Sequence, residues 1–241
     1  SWRMPAEKGR NAALTQEPDP DNAGVGTPQK DPSRHGAWGA FFVASSPTNR
    51  RNEGMRNRKL QMLCEGAILV ALAQILSMLK LWEMPWGGSI TLGMLPIFLF
   101  AVRWGTRWGL VAGFAYGLLQ VMFDGGFAIS WQSILGDYLV AFTVLGLAGL
   151  GRGREKGIFL GTVLGGAARF VVHWVVGATV WAMYMPDAFF GMTMTSPWLY
   201  SLLYNGFYML IDTLLCLVIF ALLFRPMHQY LTGADLRKTT E

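Results

Sequence analysis

Apolar positions gather into six runs between residues 60 and 224, separated by short loops that hold most of the remaining charge. The first runs from about Leu60 to Leu79 and is interrupted only by Glu65. The second runs from about Ile90 to Val102, with Pro96 in its middle. The third is Trp108 to Phe123, the fourth Trp131 to Leu150, the fifth about Ile158 to Met183 and the sixth Trp198 to Phe224. A helix needs about 20 apolar residues to cross a bilayer core. The second and third runs are short by that measure, which predicts tilt, a bend at Pro96 or a partly re-entrant path. The expected fold is an all-α membrane protein with six transmembrane helices.

Charge sets the orientation. Arg50, Arg51, Arg56, Arg58 and Lys59 precede the first run, Arg103 and Arg107 lie between the second and third, and Arg152, Arg154 and Lys156 lie between the fourth and fifth. Arg225, Arg237 and Lys238 follow the sixth, whereas the alternate loops carry only Lys80, beside Glu83, Asp124 and Asp187. Basic residues mark cytoplasmic loops, so both termini are expected in the cytoplasm, in a multi-pass protein of the cell membrane.

Composition agrees. The chain is 52% hydrophobic and 15% charged, against about 25% charged in soluble domains. The net charge of +5 is then a property of cytoplasmic loops, and no nucleic-acid partner is implied. Cys64 and Cys216 both fall inside apolar runs and read as packing residues, so neither a disulfide framework nor a metal site follows. Residues 1–55 hold six of the eleven prolines and are too polar to offset the entropy of ordering. They read as a disordered tail or, with Met55 just before the basic run, as an over-extended gene start. The membrane domain is expected over 58–231, with a short cytoplasmic tail at 232–241.

Polar groups inside membrane helices are expensive and mark function. Asp137, His173 and Asn205 are such groups, and Tyr138, Trp181 and Tyr200 stand near them. His173 and Trp181 are eight residues apart, close to two helical turns, and share a face. Tyr200 and Asn205 are five apart and share one only loosely. One outward-facing pocket would offer a carboxylate, an imidazole, an amide and flat π-faces, which suits a planar, nitrogen-rich or cationic ligand. Structural roles compete with this: Asp137 as partner to Arg169, Asn205 as interhelical glue, the aromatics as an interfacial belt. Ala67 and Ala71 give small-xxx-small spacing in the first run, and Gly161, Gly165 and Gly177 read as close-packing points in the fifth. Walker A, HExxH and GxSxG patterns are absent from the sequence, so no nucleotide motor is encoded and no cofactor is implied.

Several segments together resemble the thiamine-specific substrate-binding (S) component family, the ThiT type, of energy-coupling factor (ECF) transporters. They are EGAILVALA at 65–73, WGGSITLGMLP at 86–96, GDYLVAFTVLGLAGL at 136–150, ARFVVHWVVGATVWAMY at 168–184 and SPWLYSLLYNG at 196–206. The resemblance covers residues 58–231. It implies a six-helix fold with cytoplasmic termini and capture of thiamine from outside. By motif position it puts binding residues at Trp86, Asp137, Tyr138, His173, Gly177, Trp181, Tyr200 and Asn205. It puts docking to the ECF transmembrane coupling subunit at Ala67 and Ala71, and energy in two partner ATPases. Trp86 and Trp181 would stack on the rings, Asp137 and His173 would meet the heterocycle edges, and Tyr200 and Asn205 the far side.

In one position the chain departs from that family. The pattern has Glu where Asp137 stands, one methylene and about 1 Å shorter in reach unless a water bridges. An S component for another thiamine-like pyrimidine is therefore a second reading. An intramembrane acid–base enzyme built on Asp137 and His173 is a third, and a structural scaffold a fourth. The outer loop Leu81–Thr91, with Gly87 and Gly88, is the expected lid.

Overall fold

The computed structural model describes residues 47–84, 88–124 and 128–238. The stretch from Glu53 to Glu241 forms one compact unit. The first 46 residues, most of the expected tail, lie outside the described residues, as does Trp86.

Helix α1 covers Pro47–Met78. It starts earlier than its apolar run, so residues 47–55 are helical rather than tail. Pro47 supplies the fixed φ and missing N–H that suit a first helical position. A short hairpin follows, β1 (Trp82–Glu83) pairing antiparallel with β2 (Ser89–Ile90). Helix α2 is Met94–Trp104. Ile90 belongs to the hairpin, so α2 begins four residues later than its apolar run, and Pro96 sits in the first turn. There its absent N–H leaves no hydrogen bond unmade, and α2 is not bent at its middle. Helix α3 is Thr106–Asp124 and α4 is Trp131–Gly151. Helix α5 is Gly157–Thr179 and α6 is Pro197–Phe224. A second hairpin, β3 (Ala188–Phe189) with β4 (Met192–Thr193), joins the last two.

Helices α1, α4, α5 and α6 are long and apolar enough to cross a membrane; α2 is apolar but has 11 residues. Their outward faces are greasy: Leu60, Ile68 and Ile75 on α1 and Leu210, Val218 and Leu222 on α6 are exposed. Apolar side chains presented over this much surface are those of a protein solvated by lipid.

Small residues decide the packing, as expected where the hydrophobic effect cannot pull helices together in lipid. A methyl on Gly146 of α4 would sit 2.1 Å from the Leu110 amide nitrogen of α3, so the two backbones touch there. Gly161 and Gly165 of α5 face Ala148 and Phe98 with a Cβ clearance of only 2.4 and 2.6 Å, as close-packing points should. Helix α4 is irregular: Ile134–Val140 is π-helical and Val144–Gly151 is wound as a 3₁₀ helix. Ser130 caps its start, accepting from the Ser133 amide at 3.3 Å, and Ser196 does the same for α6 through Trp198 at 3.3 Å.

At the end of the bundle opposite the hairpins, Arg103 of α2 is 2% exposed. It forms a short charge-assisted hydrogen bond to Glu65 of α1, and it reaches Asp235 at 2.9 Å and the Tyr230 carbonyl at 2.6 Å. Its guanidinium stacks 3.5 Å from the Tyr230 ring centre. Helices α7 (His228–Leu231) and α8 (Asp235–Lys238) carry those partners. Leu231 and Leu236 are buried. The described part of 232–241 is thus packed against the bundle instead of trailing from it. Glu65, which reads in sequence as an interruption of an apolar run, exists to meet this arginine. Cys216 is buried as a packing residue, but Cys64 is exposed on the outer face of α1.

Candidate functional site

A cavity of about 360 Å³ opens between α1, α3, α4, α5 and α6 at the hairpin end. That is within the range of small-molecule sites, about 300–1,000 Å³. Asp137, Tyr138, His173, Gly177, Trp181, Tyr200 and Asn205 all line it.

The π-helical winding of α4 presents Asp137 and Tyr138 to the cavity from adjacent positions; such segments recur at functional sites. Asp137 accepts from three donors. Its Oδ1 lies 3.0 Å from His173 Nδ1, and its Oδ2 accepts from Trp181 Nε1 at 2.8 Å and from Ser133 Oγ at 2.9 Å. Trp181 stands just beyond the end of α5, two turns from His173, so both reach one carboxylate. Asp137 is therefore not the partner of Arg169. Arg169 instead donates from Nε to His173 Nε2 at 3.3 Å, with its guanidinium 4.3 Å from the Phe142 ring centre. An arginine can only donate, so Nε2 accepts and the histidine proton sits on Nδ1, pointing at Asp137. A chain Arg169–His173–Asp137–Trp181 results, each group oriented by the next.

Tyr138 Oη donates to the Asp124 carbonyl at 2.8 Å and ties α4 to the end of α3. Asn205 Nδ2 donates to the His173 carbonyl at 3.3 Å, while its Oδ1 accepts from Tyr208 at 3.0 Å. It is interhelical glue and cavity wall together. Gly177 permits this: a Cβ there would lie 2.4 Å from Ser201 Oγ and 3.0 Å from Asn205 Nδ2. Tyr200 packs on Tyr204 at 5.6 Å between ring centres, and Tyr204 on Tyr208 at 6.0 Å.

Arg169, expected only as a partner for Asp137, lines the cavity with no carboxylate within 4.0 Å among the described residues. Three further polar residues of the site did not stand out in sequence. Gln74 and Gln120 form part of the α1 and α3 walls. Asp212, 1% exposed in α6, accepts from the Thr91 amide at 2.9 Å and holds the end of the first hairpin. The four-residue ladder Tyr200, Tyr204, Tyr208, Asp212 was the signal that could have found it, since such spacing stacks side chains on one face. At the mouth, Lys80 bonds Glu83 at 2.8 Å and Asp124 at 3.4 Å. Burial of that ammonium alone would lower its pKa, but the bond to Glu83 and the nearby Asp124 charge outweigh it and raise it.

Apolar helices around a polar-lined cavity define a multi-pass membrane protein with room for one small molecule. A model of the thiamine transporter protein family (Thia_YuaJ) matches residues 63–232, and the chain belongs to that family. It is 33% identical over 184 residues to the thiamine transporter ThiT of Bacillus subtilis strain 168, covering 70% of this chain and 93% of the relative. It is 29% identical over 197 residues to the thiamine transporter ThiT of Lacticaseibacillus paracasei, covering 75% and 94%. The solved structure of ThiT from Listeria monocytogenes shares the fold, with a TM-score of 0.64 at 24% identity over 72% of this chain and 98% of that one. These relatives are named as transporters, not enzymes, and the chain is accordingly a multi-pass protein of the cell membrane rather than an intramembrane acid–base enzyme.

Proposed function

We propose that this chain captures thiamine from outside the cell and hands it on as the S component of an ECF transporter. The observation that supports this most is the oriented chain Arg169–His173–Asp137–Trp181 on one wall of the cavity. An aminopyrimidine edge needs fixed donors and acceptors, and a thiazolium needs aromatic faces. Asp137 and His173 meet the heterocycle edge, and Arg169 directs unused guanidinium donors toward ring nitrogens. Trp181 and Trp86 stack on the rings, with Tyr138 and Gly177 shaping the pocket. Tyr200 and Asn205 contact the far side. Asp137 already holds Trp181 and His173, and its remaining lone pair meets the ligand directly or through a water.

Both termini are cytoplasmic in this reading, six helices cross, and the cavity opens outward. Ala67 and Ala71 are exposed on α1 and form the small-residue surface for the ECF transmembrane coupling subunit, whose two ATPases drive transport. A related pyrimidine is the second reading, favoured by Asp137 alone.

Quenching of intrinsic Trp fluorescence by thiamine tests the reading, with Trp181→Ala beside the parent. Saturable quenching weakened at least tenfold by the substitution is expected. Absence of quenching in protein that melts cooperatively overturns it, and quenching by the isolated pyrimidine in preference to thiamine selects the second reading.

A further inference from the structure

A second, smaller pocket of about 40 Å³ lies at the far end of the bundle, lined by Arg58, Arg103, Arg152, Gly153, Thr232, Gly233 and Leu236. Three guanidinium groups meet there from α1, from the end of α2 and from the turn after α4. Their situations differ. Arg103 is neutralised, holding both Glu65 and Asp235. Those two carboxylates are thereby taken. Arg58 and Arg152 have no carboxylate within 4.0 Å among the described residues. The Arg152 guanidinium donates to the Trp104 carbonyl at 3.3 Å. It is held over the α2–α3 turn, where Gly105 at φ +93° leaves room: a Cβ there would lie 3.1 Å from Arg152 Nη1.

Two arginines with spare forked donors converging on a small pocket match the oxygens of a phosphate, which guanidinium binds bidentately. The volume admits one or two water-sized groups, enough for phosphate oxygens and too little for a larger solute. In the orientation expected from the charge distribution, this end of the bundle meets the cytoplasmic leaflet. Leu60 and Leu150, each two residues from a pocket arginine, are exposed apolar side chains, and Arg56, Lys59, Arg107, Arg154 and Lys156, which lie near the pocket residues in sequence, are exposed as well, with Glu155 among them. Basic pockets between membrane helices on this side attract anionic headgroups.

We propose that Arg58 and Arg152 form a phosphate site, filled by the headgroup of an anionic phospholipid. The site is separate from the thiamine cavity, so it stands or falls independently of the transport reading. The test uses the full chain in detergent, titrated with phosphatidylglycerol, with phosphatidylcholine or with inorganic phosphate, and follows thermal unfolding. Phosphatidylglycerol should raise the melting temperature and phosphatidylcholine should not. Each pocket arginine loses a charge-assisted hydrogen bond to phosphate when replaced, about tenfold in affinity, so Arg58→Gln/Arg152→Gln should weaken the effect about a hundredfold. The matched control Arg56→Gln/Lys59→Gln loses only the general attraction of equal charge to an anionic surface and should weaken it about twenty-five-fold at most. If the double variant does not fold, Arg152→Gln alone should give about a tenfold loss. Stabilisation by inorganic phosphate alone, lost in the double variant, also supports the site and makes a soluble anion its source. Equal effects of the two lipids, an unchanged double variant, or an equal loss in the control overturns it.

Discussion

Replacing Asp137 with asparagine tests the oriented chain most sharply, because the side chain keeps its shape and loses only its charge and one acceptor. The carboxylate receives three donors: His173 Nδ1 at 3.0 Å, Trp181 Nε1 at 2.8 Å and Ser133 Oγ at 2.9 Å. An amide has one oxygen and one NH₂. With the NH₂ toward Trp181, two N–H donors face each other, and only the serine hydroxyl can rotate away. With the NH₂ toward His173, the imidazole would have to move its proton to Nε2, but Arg169 Nε already points at Nε2 from 3.3 Å. Either placement strands one buried donor, at about 1–3 kcal/mol. Thiamine affinity should therefore fall about 5- to 150-fold, by calorimetry or Trp quenching. The histidine tautomer sets a second outcome. In an Arg169→Gln background the histidine is free to change tautomer, so the further loss caused by Asp137→Asn should shrink. A full-size loss in both backgrounds, or unchanged affinity in the single variant, would refute the reasoning.

Three other outcomes follow from the packing. Gly177→Ala places a methyl 2.4 Å from Ser201 Oγ, and overpacking of this kind costs about 1–3 kcal/mol. Both the melting temperature and thiamine affinity should drop, and Ser201→Ala in the same chain should restore part of each. Ala67→Leu/Ala71→Leu alters only an exposed face of α1; thiamine binding to the isolated chain should be unchanged, while uptake by cells and co-purification with the coupling subunit should fail. Burial and the Glu65 charge push the Tyr230 hydroxyl up to about 12 from 10.0. Its stabilising effect is complete below pH 10 and is lost as pH rises toward 12, because the unfolded chain releases that proton first. Melting temperature against pH should fall less steeply across that window in Tyr230→Phe.

Much of the fold was legible because bilayer physics writes it into composition. A run of about 20 apolar residues has few alternatives to a membrane helix, and α4, α5 and α6 lie close to where their runs place them. The edges were less legible. Ile90 is apolar enough to read as helix, yet it belongs to a hairpin whose far end is tied to Asp212, more than a hundred residues away. The site divided along the same line. Asp137, His173 and Asn205 stood out because a polar group in an apolar run is costly to keep. Asp212 sits in the same kind of run and was missed, since only its place on the tyrosine ladder distinguishes it. Arg169 was visible, but its partner was not: an arginine four residues before a histidine shares its helix face, whereas pairing with Asp137 would need a distance no spacing rule supplies.

The sequence by itself determined that this is a helical membrane protein and which side chains are too polar to be there without a purpose. Both follow from local quantities, the hydropathy of a segment and the solvation cost of one group, and these need no knowledge of neighbours. Only the tertiary structure decided who meets whom. It put Trp181 and His173 on one carboxylate, turned Arg169 to the histidine with no carboxylate within 4.0 Å among the described residues, and joined Glu65 to Arg103 and the C-terminal helices. Such pairings depend on helix approach set by Gly146, Gly165 and Gly177, where the absence of a side chain lets backbones touch. A glycine in a sequence states what is missing there, and the fold alone states what fills the space.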